Sequence, residues 1–213
     1  MAEYASTRIG IPFGLFHYTG ETAWRDLFVS NVPFFDPLSF PFLAYASYCL
    51  ARWALRQARG WAPAALTVAL MMLLDLLVDP LAVREESWFL GRIFTYVEPG
   101  TYFGGPLSNF ASWFLVGWAI VGGYLRAVRR RPQALGSPLG GISLYYGVVL
   151  FILGITGWLG ERALLGAGIL VHVAVFLLVY ALKGISVTRG GTDERPAGER
   201  AAVITTTIDK RGH

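Results

Sequence analysis

The chain has 213 residues, of which 54% are hydrophobic and only 15% carry a charge. Soluble domains usually contain about 45–50% apolar and about 25% charged residues, so the composition argues against a water-soluble globule. It also excludes a wholly disordered chain and predicts a multi-span integral membrane protein. The single cysteine, Cys49, excludes an internal disulfide framework and a cysteine-rich metal site. Orienting arginines in the loops account for the net charge of +4, so no nucleic-acid partner is needed.

The first element in chain order is an irregular segment, residues 9–37. It is apolar and aromatic, but Gly10, Pro12, Gly14, Gly20 and Pro33 interrupt it. Such a segment is too broken for a spanning helix and too apolar for a solvated loop. We expect interfacial or re-entrant backbone that packs on a helical bundle.

Five later stretches are long and apolar enough to cross a bilayer, which takes about 20 residues. They are residues 37–57, 61–79, 109–128, 141–158 and 162–183. They predict an all-α integral membrane protein with one transmembrane helical domain, residues 1–187. The polar residues 188–213 are predicted to form a disordered cytoplasmic tail. The long connection 80–108 is rich in aromatic residues, glycine and proline. We expect it to fold back over the bundle, with a short helix near residues 86–96.

Arginines are concentrated in alternate connections between the predicted spans. Arg52, Arg56 and Arg59 follow the first span, and residues 126–131 after the third span hold four arginines. The positive-inside rule then places the N-terminus outside and the C-terminus in the cytoplasm. The predicted location is the cell inner (plasma) membrane, as a multi-pass protein.

Two carboxylates interrupt the second span. Asp75 and Asp79 are four residues apart, so they share one helix face. Each costs roughly 2.5–3.5 kcal/mol if it is placed centrally in a bilayer, and such residues usually mark a functional site. Pro80 is expected to end or kink the helix directly after Asp79. A paired carboxylate site would hold one neutral carboxylic acid at neutral pH. In the alternative interpretation, Asp79 caps the helix or pairs with Arg84 or Arg92 near the surface.

Other polar side chains are candidates for the same site. Asn109, at the start of the third span, could hold a carboxylate or a water, or could simply cap its helix. His17 and Tyr18 lie in the N-terminal segment, where His17 is either a proton relay or a solvated side chain. His172 lies in the middle of the fifth span, where a lone histidine is more often bonded to backbone.

Metal and nucleotide chemistry find little support in the sequence. The chain contains no HExxH, HxxxH or CxxC motif and has three histidines, one of them C-terminal. It also has no GxGxxG and no GxxxxGK[ST] motif. We therefore expect no metal and no flavin, nicotinamide or nucleotide cofactor.

Three stretches together resemble the CruF-type carotenoid 1,2-hydratases, a family of membrane carotenoid-biosynthesis proteins. They are residues 10–14 (GIPFG) with His17 and Tyr18, residues 75–83 (DLLVDPLAV), and residues 102–110 (YFGGPLSNF) with Trp113. The resemblance covers about residues 8–120. It implies hydration of the terminal 1,2 double bond of an acyclic (ψ) carotenoid end, such as that of lycopene or γ-carotene, to a tertiary alcohol.

The reaction assigns roles to residues of this chain. A carboxylic acid protonates the alkene, aromatic faces stabilise the tertiary cation, and a base takes a proton from the attacking water. Asp75 and Asp79 are predicted to be the acid and its partner, with Asn109 placing the water or the acid. The predicted substrate-binding side chains are His17, Tyr18, Trp88, Tyr96, Tyr102, Phe103 and Trp113. The polyene would enter from the lipid membrane, and other carotenoid enzymes or a pigment–protein complex are candidate partners.

Two other classes of protein remain open on the sequence. One is a non-catalytic carotenoid-binding accessory subunit, for which buried carboxylates bring no advantage. The other is a small transporter or proton-coupled channel, although five spans without an internal repeat fit the usual transporter design poorly.

Overall fold

The computed structural model describes residues 2–24, 26–56, 61–83, 92–128 and 137–193. Within them the chain forms six α-helices and four short β-strands. The helices are α1 (Ala2–Ile9), α2 (Phe35–Ala54), α3 (Ala62–Ala82), α4 (Leu107–Val128), α5 (Leu139–Trp158) and α6 (Arg162–Asp193). The strands are β1 (Phe16–Tyr18), β2 (Phe28–Val29), β3 (Val32–Pro33) and β4 (Phe94–Tyr96).

Helix α3 is the centre of the bundle. It packs against α2, α4, α5 and α6, and α2 in turn packs against α5. In the most apolar stretch of α3, 61% of the residues are buried, against 28% for each of α4, α5 and α6. A helix that is apolar on all sides is suited to a central position, and the sequence of α3 has this character apart from its two aspartates.

The fold class is the predicted one, an all-α membrane protein, but the number of clear spans differs. In the described part of the chain, four helices are long and apolar enough to cross a membrane: α3, α4, α5 and α6. The first predicted span forms a 20-residue helix, α2, but it is not among the four. Its tyrosines, serines and prolines, together with Asp36 and Arg52, lower its hydropathy.

Two helix ends differ from the expected ones. Helix α3 continues through Pro80 to Ala82, so Pro80 does not end it directly after Asp79. A proline in the last turn removes only one backbone hydrogen bond, and the helix tolerates this. Helix α6 extends to Asp193, so residues 188–193 of the predicted tail are helical. The rest of that tail, residues 194–213, lies outside the described residues.

Strands β1 and β4 connect the N-terminal segment to the long connection after α3. They pair antiparallel, with Phe16 opposite Tyr96 and Tyr18 opposite Phe94. The short helix expected near residues 86–96 is therefore wrong at residues 94–96, while residues 84–91 lie outside the described residues. Aromatic and β-branched residues at 94–96 favour the strand, since they pack well on a pleated surface. The described part of the connection does fold back onto the bundle, as expected.

A glycine-rich turn brings the connection to the start of α4. Gly100 bridges to Gly104, and Tyr102 to Gly105. A Cβ atom on Gly100 would lie 2.1 Å from the backbone of Gly105, so this close approach requires glycine. Farther along, the Ser112 hydroxyl donates to the carbonyl of Pro12 and ties the N-terminal segment to α4. The turn and this bond hold the non-helical segments over one end of the bundle.

Candidate active site

Asp75 and Asp79 lie on one face of α3 and converge on a single amide. The Nδ2 atom of Asn109 donates to Oδ2 of Asp75 at 2.9 Å and to Oδ2 of Asp79 at 3.1 Å. Asp75 is 2% exposed, Asp79 7% and Asn109 2%. One NH₂ group carries two protons, so it can serve both carboxylates at once. The helical spacing predicted from the sequence therefore produces a buried pair.

Asn109 acts through its side chain in this pair rather than as a helix cap. Helix α4 begins at Leu107, so Asn109 already lies inside the first turn. The turn before it places the backbone close to the same acid, since a Cβ atom on Gly105 would lie 3.5 Å from Oδ2 of Asp79. Asp79 is buried and accepts hydrogen bonds from Asn109 and Tyr96. This differs from the alternative interpretation, in which Asp79 lies near the surface.

Two tyrosines on the β1–β4 sheet each donate to an aspartate. The Tyr96 hydroxyl donates to Oδ2 of Asp79 at 3.1 Å. The Tyr18 hydroxyl donates to Oδ2 of Asp36, in the first turn of α2. Burial, and then the adjacent carboxylate, raise the pKa of each phenol above its ordinary value. Both tyrosines therefore remain neutral donors at any physiological pH.

A small cavity lies between these groups. Its volume is about 40 Å³, which is room for about two water molecules. Its polar lining consists of Glu3, Asp36, Asp79, Tyr96 and Asn109, and its apolar lining of Phe13, Phe16, Phe40, Phe94 and Trp113. Among the residues that the structure describes, no lysine or arginine lines it. Carboxyl groups that lie close together favour sharing of protons among them.

A larger groove reaches the same carboxylates from another direction. It has a volume of about 400 Å³, within the usual range of small-molecule sites. Four aspartates, Asp26, Asp36, Asp75 and Asp79, line it together with mainly apolar side chains, among them Leu43, Val78, Ala82, Ile93, Phe94 and Trp113. An apolar ligand in this groove would lie directly beside buried acids.

Aromatic rings surround the junction of the cavity and the groove. Trp113 stacks on Phe40 with a ring-centroid distance of 4.2 Å and an interplanar angle of 12°. Phe16, Tyr18, Phe94 and Tyr96 form a cluster on one face of the β1–β4 sheet, with centroid distances of 5.3–6.3 Å between contacting rings. Such faces can stabilise a cation that develops close to them.

The structure brings some of the predicted substrate-binding residues to this place and leaves others outside it. Trp113 lines both the cavity and the groove, and Tyr96 lines the cavity. His17 is exposed, because neighbouring residues of a strand point to opposite faces and Phe16 and Tyr18 point inward. Tyr102 and Phe103 line neither the cavity nor the groove; they pack on each other, and Tyr102 also packs on Phe110. Trp88 lies outside the described residues.

Sequence reasoning missed part of the site. Asp36 and Glu3 were not among the candidates, nor were four of the phenylalanines: Phe13, Phe16, Phe40 and Phe94. One signal could have identified Asp36, which precedes Pro37 as Asp79 precedes Pro80. The phenylalanines carry no such signal, since an apolar chain has many.

His172 lies apart from the site. Its Nδ1 is 3.2 Å from the carbonyl oxygen of Gly168, one turn earlier in α6. This is the backbone-bonded arrangement expected of a lone buried histidine. Within the described part of the chain, no group of three or more His, Cys, Asp or Glu side chains is placed to hold a metal ion.

The arrangement is suited to proton transfer to an apolar molecule. Two carboxyl groups share a donor in a dry setting, two neutral phenols point at carboxylates, and a water-sized cavity adjoins an apolar groove. A proton donor, a proton acceptor, water and an apolar binding surface lie within one region. These are the parts that general acid–base addition of water requires.

Comparison with known proteins agrees with this chemistry. A family model described as "Carotenoid biosynthesis protein" matches residues 1–181. A bisanhydrobacterioruberin hydratase from Haloarcula japonica is 32% identical over 181 residues, a match that covers 79% of this chain and 58% of the relative. The chain thus spans somewhat more than half the length of that relative. No solved structure matches. The resemblance expected from the sequence is confirmed, and the chain belongs to the carotenoid biosynthesis protein family.

Proposed function

We propose that the protein hydrates the terminal 1,2 double bond of an acyclic (ψ) carotenoid end. The observation that carries the proposal is the carboxylate pair on Asn109 beside the apolar groove. Binding an apolar chain alone gains nothing from buried acids, which are expensive in a membrane protein. Lycopene, γ-carotene and bisanhydrobacterioruberin, the compound named in the relative, are the substrates to test.

The first step is protonation of the alkene. One member of the Asp75–Asp79 pair, in its neutral acid form, transfers its proton to C2. The π electrons of the double bond form the new C–H bond, and the positive charge appears at the tertiary carbon C1. Trp113 and Phe94 line the groove beside the acids, and their faces stabilise this cation.

The second step is capture of the cation by water. A lone pair of the water oxygen forms the C–O bond at C1, and a carboxylate accepts the proton that the water loses. Asn109 fixes the orientation of the two aspartates. The cavity of about 40 Å³ beside Asp79 is a reservoir from which the water can come.

The membrane setting supports entry of the substrate from the bilayer. The four apolar helices make this a multi-pass membrane protein, and carotenoids dissolve in lipid. We further propose an inner-membrane location with the N-terminus outside and the C-terminus in the cytoplasm. That orientation requires α2 to cross together with the other four helices, since four crossings would leave both termini on one side. Reporter fusions at each terminus test it.

Expression in three kinds of cells, which produce lycopene, γ-carotene or bisanhydrobacterioruberin, tests the reaction itself. The wild-type protein should yield carotenoids heavier by one or two waters, which chromatography and mass spectrometry identify. Glu21→Gln is a matched control, since Glu21 is exposed and lines neither the cavity nor the groove. Pigment that co-purifies unchanged, with no turnover of any of the three substrates, would contradict the proposal and favour an accessory carotenoid-binding subunit.

A further inference from the structure

Asp36 and Tyr18 form a second acid–phenol pair across the cavity from Asp79 and Tyr96. The β1–β4 sheet presents both phenols from one face, because Tyr18 is two residues from Phe16 on β1 and Tyr96 is opposite Phe16 on β4. One phenol donates to Asp79 of α3 and the other to Asp36 of α2. The two acids therefore come from different helices but receive the same kind of donor from one sheet.

Asp36 and Asp79 also share their surroundings. Both line the water-sized cavity, and both line the apolar groove. A side chain that touches both spaces can contact water on one side and a bound polyene end on the other. Asp75, by contrast, lines only the groove. Of the acids in the site, Asp36 and Asp79 thus have the placement that contact with both reactants needs.

We propose that Asp36 is the general base of the hydration, held in position by Tyr18, and that the Asp75–Asp79 pair is the acid. This inference rests on the proposed function. Hydration needs a donor for C2 and an acceptor for the proton of the water, and a donor that has just lost its proton lies next to the cation it created. A separate acceptor on another helix allows water to approach C1 from a different side.

The proton balance closes through the cavity. The acid pair gives one proton to C2, and the water gives its oxygen to C1 and one proton to Asp36. The proton on Asp36 then returns to the acid pair through the water-sized space that Asp36 and Asp79 share. The net change is addition of one water to the double bond, and both acids regain their starting states.

The other titratable groups at this place set the conditions for a pH test. Glu3 of α1 lines the same cavity, Asp26 and Asp75 line the same groove, Asp79 lines both, and the Tyr18 and Tyr96 phenols donate to Asp36 and Asp79. A base must be deprotonated to act, so activity falls as the pH drops. Tyr18→Phe removes a donor that favours the charged form of Asp36, so it should move this acid limb of the pH profile to higher pH.

The test uses the full chain in lipid nanodiscs with an acyclic carotenoid as substrate. The hydration rate of Asp36→Asn should be lower than that of wild type by about 100-fold or more. The rate of Tyr18→Phe should be roughly tenfold lower than that of wild type. Added formate should restore part of the activity of Asp36→Ala, because a small carboxylate can occupy the vacated space. Glu21→Gln and Tyr180→Phe, an exposed tyrosine of α6, should match wild type in rate and pH profile.

Each contrary result is informative. A folded Asp36→Asn variant with wild-type activity overturns the assignment, and so does an inactive Asp36→Ala variant that formate never restores. If Asp36→Asn does not fold, the pH profile of Tyr18→Phe is the test. An acid limb at the same pH as in wild type overturns the proposal. Absence of hydration by the wild-type protein instead contradicts the proposed function, so the two failures are distinguishable.

Discussion

The hydrogen bonds of buried polar groups differ between two halves of the bundle, the half around the aspartates of α3 and the half formed by α5 and α6. Around the aspartates of α3 these groups bond between elements: Asn109 donates to Asp75 and Asp79, and Tyr96 to Asp79. In α5 and α6, Thr156 and His172 bond to their own helix, although the Tyr145 hydroxyl of α5 donates to the carbonyl of Leu70 in α3. Thr156 donates to the carbonyl of Ile152 at 2.7 Å, and His172 lies 3.2 Å from that of Gly168.

This difference indicates that the first half holds the groups that react, whereas the second half supports the fold. A hydroxyl bonded to a carbonyl of its own helix is satisfied locally and has little reason to meet a reactant. Bonds between distant segments need the whole fold to place both partners, and they position side chains around a shared space. Helices α5 and α6 also expose large apolar side chains, such as Leu150 and Leu170, which suits contact with lipid. We therefore expect substitutions of polar groups to affect hydration strongly in the first half and weakly in the second.

The largest effect is expected at the two aspartates of α3. Asp75→Asn and Asp79→Asn keep the shape of the side chain but remove the acid. Each should lower the hydration rate by about 100-fold or more, the usual contribution of a general acid. Product formation per folded protein measures this, with Glu21→Gln as the control. Wild-type conversion by both variants would remove the acid pair from the mechanism.

A smaller loss is expected when the shared amide is removed. Asn109→Leu leaves both carboxylates without their common donor. Bonds to charged groups contribute about 1.5–3 kcal/mol each, so the rate should fall roughly tenfold to a hundredfold. Asn31→Leu is a matched control, since Asn31 bonds to Thr7 and lines neither the cavity nor the groove. Equal rates for the two variants would show that the amide does not organise the site.

Removing the Tyr96 hydroxyl should have a milder effect. Tyr96→Phe keeps the ring in the aromatic cluster and deletes one bond to Asp79. A loss of about 1 kcal/mol predicts a rate at most roughly tenfold lower. Tyr102→Phe serves for comparison, because that ring packs on Phe103 and Phe110. A Tyr102→Phe variant more impaired than Tyr96→Phe would relocate the site toward the glycine-rich turn.

The weakest effect on activity is expected in the other half. Thr156→Val removes a hydroxyl that bonds within α5. The free energy of unfolding should change by about 1 kcal/mol or less, and the hydration rate should remain close to that of wild type. Thermal unfolding in detergent and product analysis measure the two quantities. If Thr156→Val reduced hydration as strongly as Asn109→Leu, the two halves would not differ in the way described.

Part of this site could be predicted from the sequence because charged residues are rare within apolar spans. Asp75 and Asp79 interrupt an apolar span, and their spacing of four places them on one helix face. Asn109 follows a turn motif at the start of α4. These residues stand out against an apolar background, and the structure brings all three together.

Asp36 does not interrupt an apolar span, and its local signal is the Asp-Pro pair that it shares with Asp79. It stands at the start of a helix, where an acid is an ordinary stabilising residue. Its place in the site depends on β1, which pairs with a strand far along the chain. Long-range pairing leaves little local signal, so the sequence also predicts a helix at residues 94–96, where the structure has a strand.

Isotope labelling of the product tests the central claim most directly. The purified wild-type protein is given an acyclic carotenoid in heavy-oxygen water or, separately, in D₂O. We predict that the solvent oxygen is found at C1 and that one non-exchangeable deuterium is found at C2. Asp79→Asn should give neither label above the rate of the uncatalysed reaction. An unlabelled C2, or oxygen at C1 that does not come from water, would contradict hydration by the aspartate pair.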